Sequence, residues 1–130
     1  DQQIVDLAEG TPGVEYEGFV SPERYSVLLA TCELLALPSL YEGFGMQILD
    51  ALQRGIPVLT SNRGSLPEVT GECAVLVDPE STEDIAEGLE RILTSSEFQE
   101  DLRASGPGQA SNFSWKRSVD LFLASLKKLQ

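Results

Sequence analysis

Apolar residues recur along this chain in short blocks whose spacing switches between helical and extended periods. Each switch is marked by glycine, proline or a small polar residue. Residues 1–9 carry Ile4, Val5, Leu7 and Ala8 and stop at Gly10-Thr11-Pro12-Gly13, the end of a helix followed by a turn. Residues 14–20 are predicted to form a strand. Ser21-Pro22-Glu23 then supplies a capping serine with proline at the first helical position, and Tyr25, Leu28 and Leu29 follow at helical spacing to about Thr31. The run 34–37 is short, apolar and closed by Pro38-Ser39, as expected of a buried parallel strand that opens into a loop.

The next helix spans 45–54, with Met46, Ile48, Leu49 and Leu52 on one pattern, and stops at Gly55 before the strand Pro57-Val58-Leu59-Thr60. Residues 66–69 fit one helical turn and 74–77 a strand. Ser81-Thr82-Glu83-Asp84 is a capping signal for a helix striped by Ile85, Ala86, Leu89 and Ile92. Phe98 and Leu102 predict further helix that stops before Gly106-Pro107-Gly108. Ser114-Trp115 then opens an amphipathic helix through Leu129. Strands alternating with helices predict an α/β fold, an open parallel sheet with helices on both faces, in a single domain over residues 1–130. No repeat, low-complexity tract or interdomain linker interrupts it.

Composition narrows the chemistry. At 130 residues and 42% hydrophobic content, the chain can bury a core without disulfides or metal. A formal charge of -12 disfavours nucleic acid or an anionic membrane as the main partner. The two cysteines, Cys32 and Cys73, lie far apart in apolar contexts, which argues against a disulfide framework or a metal cluster and fits a reducing cytoplasm. No apolar stretch is long enough to span a membrane, and the first residues lack the pattern of a signal peptide. The absence of histidine removes Ser-His-Asp and Cys-His catalysis and histidine metal ligation. Chemistry is left to carboxylates, backbone amides and a few cations.

The loop 38–45 is the best-placed candidate, because ligands of such sheets bind beyond the carboxyl ends of the strands. Gly43 and Gly45 leave backbone uncovered where a helix begins, so amides and the positive helix end can face a diphosphate; a tight turn would use the same glycines. Glu42 and Asp50 are eight residues apart, about 12 Å along the axis of a continuous helix. Carboxylates that share one glycosidic bond sit only about 5 to 9.5 Å apart. The spacing suits two carboxylates gripping different parts of an extended ligand through its hydroxyls. Out of context, a solvated loop acid and a helix-surface acid are the commoner explanation of the pair.

Context comes from Pro38-Ser39-Leu40-Tyr41-Glu42-Gly43-Phe44-Gly45-Met46-Gln47-Ile48-Leu49-Asp50-Ala51, from 55–62 (Gly-Ile-Pro-Val-Leu-Thr-Ser-Asn) and from Pro67-Glu68-Val69. Together they resemble family-4-type GT-B glycosyltransferases. The Gly18-Phe19-Val20 end of the first predicted strand, 74–79 (Ala-Val-Leu-Val-Asp-Pro) and Phe113-Ser114-Trp115 resemble further segments of that family, in the same order. The resemblance implies a Rossmann-like domain, the C-terminal half of a GT-B fold, incomplete at its N-terminal side. Its closing helix, 114–129, would pack on an absent N-terminal domain that binds the acceptor.

Carried over by position, the resemblance gives Glu42 a hydrogen bond to the transferred sugar, the catalytic assignment. Gly43, Phe44 and Gly45 would offer amides to the sugar and diphosphate, and Asp50 would take the ribose hydroxyls, as an ionised carboxylate can. Gly18, Phe19 and Val20 would lie near the nucleobase. The donor would be a nucleoside diphosphate sugar such as a UDP- or GDP-hexose, transferred with retention, without metal or other cofactor. Two departures from the family bear on activity. Asp50 stands where the family usually has glutamate, one methylene longer. The family's arginine and lysine clamp on the diphosphate lies upstream of any residue here, so feeble donor binding and no transfer are expected of this chain by itself. Trp115 and Phe113 read as core or interdomain packing, Glu68 as a cleft residue or a helix-start charge, and Lys127 and Lys128 as compensation of a helix dipole. Two further classes remain, a nucleotide-sugar epimerase of the same architecture, which would be expected to need histidine, and a non-catalytic interaction module.

Overall fold

In the computed structural model, which describes residues 2–128, three short parallel strands form one sheet in sequence order: β1 (Leu35–Leu37), β2 (Val58–Ser61) and β3 (Val75–Val77). The register pairs Leu35 with Val58 and Leu37 with Thr60, then Leu59 with Val75 and Ser61 with Val77. All four residues of β2 are buried. Because successive side chains point to opposite faces, this requires cover on both sides, and helices supply it. On one face Leu59, Val75 and Val77 pack with Ile92 and Leu102, with Ile85, Leu89 and Phe98 at the margin. Each such leucine, isoleucine or valine contributes roughly 1.5–3 kcal/mol by leaving water.

The connections are α3 (Met46–Gln53) between β1 and β2, and α4 (Leu66–Thr70) between β2 and β3. After β3 come α5 (Thr82–Thr94), α6 (Ser96–Ala110) and α7 (Trp115–Lys127). Ser81, Ser95 and Ser114 cap the last three, each accepting from the amide three residues on. The run 34–37 differs from expectation in one respect. Among the described residues β1 is an edge strand, paired with β2 alone, and Ala36 is exposed.

The expected stop at Gly106-Pro107-Gly108 does not occur, because α6 runs through all three residues. An internal proline forfeits one helical hydrogen bond, a cost of about 3 kcal/mol. Tertiary contact offsets it. A Cβ on Gly106 would lie 2.9 Å from the Leu52 carbonyl oxygen, and one on Gly55 would lie 3.0 Å from the Arg103 carbonyl oxygen, so α3 and α6 meet backbone to backbone. Gln109, beyond the proline, donates from Nε2 to the Val69 carbonyl at 2.9 Å and so ties α6 to α4. Ending α6 at Gly106 would forfeit the tie that Gln109 makes to α4.

The chain divides into two compact units, the first ending at Thr31 and the second, with the sheet, beginning at Cys32. The first contains α1 (Gln2–Glu9) and α2 (Pro22–Thr31). Ser21 caps α2 by accepting from the Arg24 amide at 3.2 Å, as its position before Pro22 predicts. The strand expected over 14–20 is absent, and the segment is irregular. A strand needs a hydrogen-bonding neighbour, and the described residues of this unit contain no other strand. Gly18 also turns the chain at φ +62. Arg24 pairs with Glu17 instead and holds its carboxyl below the ordinary range. At the other terminus α7 ends at Lys127, and Leu129 lies outside the described residues.

Candidate functional site

The carboxyl end of β1 delivers residues 38–45 to the edge of the sheet, where the sequence places its chemistry. The loop is held in three ways. Thr60 Oγ1 on β2 donates to the Leu37 carbonyl at 2.8 Å, and the Ser39 amide donates to the same oxygen at 2.9 Å. Ser65, in the loop after β2, donates from Oγ to the Glu42 carbonyl at 2.9 Å. A Cβ on Gly64 would meet that same carbonyl at 3.2 Å, so the two loops touch through their backbones.

The two glycines play different parts. Gly45 is buried at φ +88, a conformation that calls for glycine, and a Cβ there would lie 2.8 Å from Leu66 Cδ2 and so displace that side chain. Gly43 has no positive φ, and a Cβ there would meet nothing within 4 Å. Its missing side chain leaves the loop surface open rather than permitting a turn. Gly45 precedes α3, whose N-terminus has no side-chain cap. Ile48 and Leu49 donate back to the Gly45 carbonyl, while Met46 and Gln47 begin the helix, where amides lack intrahelical acceptors. The start of α3 is therefore a patch of donors with positive dipole character.

Around this patch lies an open cleft of about 490 Å3 lined by Leu37 and residues 42–47. The structure thus brings together Glu42, Gly43, Phe44 and Gly45, and adds Met46 and Gln47, which the sequence reading did not assign. The predicted helix start already pointed to these two amides. Asp50 is half-buried on α3, one turn beyond Met46 and Gln47, and does not line the cleft. Since α3 begins only at Met46, the separation expected of a continuous helix from Glu42 to Asp50 does not apply. Gly18, Phe19 and Val20 belong to the first unit, where Phe19 is fully exposed.

Other candidates are settled by position. Glu68 is an exposed first-turn charge of α4 and does not line the cleft. Phe113 is half-buried and meets the Phe44 ring edge to face at 5.5 Å, a further brace on the loop. Trp115 does not enter the core of the described residues, being 83% exposed. Lys127 lies in the last turn of α7, where a cation complements the dipole. Arg63 stands at the same sheet edge in the loop that braces Glu42, with its guanidinium on Asp78 and Glu80; Glu80 first, and Asp78, hold it firmly protonated. Among the described residues, no three Cys, Asp or Glu side chains converge as metal ligands would, and no helix is long and apolar enough to cross a membrane.

Comparison with known proteins gives this edge a context. The family described as glycosyl transferases group 1 matches residues 2–109. The chain is 34% identical over 127 residues to the O-antigen chain mannosyltransferase B of Escherichia coli, covering 98% of the chain and 33% of that protein. It is 39% identical over 101 residues to the MMP alpha-(1->4)-mannosyltransferase of Mycolicibacterium hassiacum, covering 75% of the chain and 25% of that protein. Among solved structures, the sucrose-phosphate synthase of Thermosynechococcus elongatus superposes with a TM-score of 0.81 at 25% identity, over 98% of this chain and 33% of that one. The chain spans about a third of the length of these relatives or less.

Proposed function

The chain belongs to the group 1 glycosyl transferases, with the fold of the C-terminal half of a GT-B enzyme, and we propose that it binds the nucleoside diphosphate sugar from which a hexose is transferred. The observation that carries this reading is the cleft at the start of α3, where the half-buried Glu42 and uncapped amides face the same space. An anionic diphosphate is matched by those amides and the helix dipole, and sugar hydroxyls by a carboxylate. Glu42 takes the sugar, Gly43, Phe44 and Gly45 the sugar and diphosphate, and Asp50, one turn on, the ribose.

The reaction is transfer with retention and without metal, in which stabilising the departing diphosphate matters more than a protein base. The acceptor is held by another domain, and a cytoplasmic setting suits such a donor. The mannosyltransferases among the relatives favour a mannose-bearing donor as the first to try. Donor binding by the chain itself is weak, because Arg63, which lies in the loop that braces Glu42, is engaged by two carboxylates.

A thermal-shift screen of UDP- and GDP-hexoses at millimolar concentration tests this. One donor should raise the melting temperature, and Glu42→Ala or Asp50→Ala should each weaken its binding by about 10- to 100-fold, as loss of a hydrogen bond to a charged group does. A donor-induced shift that survives both substitutions would dismiss these assignments.

A further inference from the structure

A continuous chain of polar contacts runs along the sheet edge from the start of α5 to the loop that carries Glu42. At one end Asp84 Oδ2 accepts from the Asp78 amide at 2.6 Å, fixing the turn after β3. Asp78 Oδ1 accepts from the Glu80 amide at 3.1 Å and from Arg63 Nη2 at 3.0 Å, and the same nitrogen donates to Glu80 Oε2 at 2.6 Å. The Arg63 amide donates to Ser61 Oγ at 3.0 Å, folding the chain sharply out of β2. Two residues on, Ser65 donates to the Glu42 carbonyl, and Gly64 lies against that carbonyl. The loop 62–65 therefore has the β3 turn on one side and the Glu42 loop on the other.

We infer that Arg63 is a positioning residue, which, by clamping the loop 62–65 to Asp78 and Glu80, holds Ser65 where it fixes the main chain of Glu42. The functional meaning of this rests on the reading of Glu42 as a donor ligand, but the mechanical claim does not. Three features favour it over an ordinary surface ion pair, which contributes little to stability. One guanidinium nitrogen contacts two carboxylates, so Arg63 is committed to the turn rather than sharing one mobile partner. Asp78 is itself held through its amide, which donates to Asp84, and through its carboxylate, which accepts from the Glu80 amide, so the anchor is tied to the turn although its side chain is partly exposed. Ser65 is two residues from Arg63, too few for slack in the loop to absorb a displacement.

The test measures backbone order by nuclear relaxation in the chain without any nucleotide, so that a failed donor assignment cannot be confused with a failed clamp. Arg63→Gln and Ser65→Ala should each lower the order parameters of Glu42 and Gly43 from the rigid range near about 0.85 toward the mobile range below about 0.6. Residues of β2 and α5 should keep theirs, and Arg63→Lys, which retains the charge, should recover part of the loss. If Arg63→Gln leaves Glu42 and Gly43 as ordered as before while Ser65→Ala loosens them, the clamp is wrong. If Arg63→Gln loosens β2 and α5 as much as the loop, its role is general stability and the inference also falls.

Discussion

Helices α6 and α7 meet their surroundings in opposite ways. The first contains Gly106-Pro107-Gly108, a sequence that reads as a break, yet it is continuous and packs against α3, α4 and α5. The second has a serine cap and an apolar stripe, yet none of its residues is buried, with Phe122 64% exposed. The contrast shows that a pattern proposes an apolar face and a neighbour decides whether it is buried. In α6 the glycine that weakens the helix locally is also what lets a neighbouring backbone approach. In α7 the cap and the stripe are in place, and Trp115 and Ser118 border a hollow shared with Phe44, Met46 and Leu49 without being buried there.

Leu52→Ala tests the packed side hardest. Leu52 is fully buried where α3 meets Gly106, and its truncation should cost about 2–5 kcal/mol in urea unfolding. Gly106→Ala should cost about 1–3 kcal/mol, because the new methyl group meets backbone that cannot rotate away. A neutral result there would mean that α6 does not approach α3 so closely. On the other side, Trp115→Ser and Phe122→Ser should each change unfolding free energy by less than about 0.5 kcal/mol, as exposed positions do. A loss well above that would show that the α7 face is covered in solution.

The smallest effect belongs to the first unit. The carboxyls of Glu17 and Glu23 are held below their ordinary value of 4.5, the former by the Arg24 hydrogen bond and the latter by that of Ser21. A carboxyl whose folded pKa is lowered stabilises the fold above its unfolded pKa, and that contribution disappears as pH falls through the folded value. The contribution is thus present at neutral pH and lost in acid below about 4.5. In an NMR titration the Glu17 carboxyl should return to its ordinary range in Arg24→Ala, with Glu23 unmoved; a Glu17 titration unchanged by that substitution would remove the pair from the account.

Much of this molecule was legible in the chain. The helices capped by Ser21, Ser81 and Ser114, the three strands of the sheet to within one residue of their starts, and the loop 38–45 followed from local rules, because caps, glycines and short apolar runs act within a few residues. The candidate loop was readable for the same reason, since its helix start and carboxylate lie within one segment. What failed was non-local. The run 14–20 has a strand's composition but no pairing neighbour in its unit, and the proline in α6 is tolerated only through α3 and α4. Ser65, Gly64 and Phe113 could not be tied to the loop from sequence, because each reaches it across a long chain separation.

By itself, then, the sequence determined the order of elements, the family and the residue types available at the sheet edge, with carboxylates and amides in place of any histidine. Only the tertiary structure decided that Gly45 turns the chain at positive φ against Leu66 while Gly43 leaves open space, and that Asp50 does not line the cleft. The same holds for Arg63, which local rules left without a role and which the fold sets against Asp78 and Glu80. The reason is physical. Capping and periodicity are encoded between neighbours in the chain, whereas close approach, burial and charge pairing depend on which distant backbone arrives alongside.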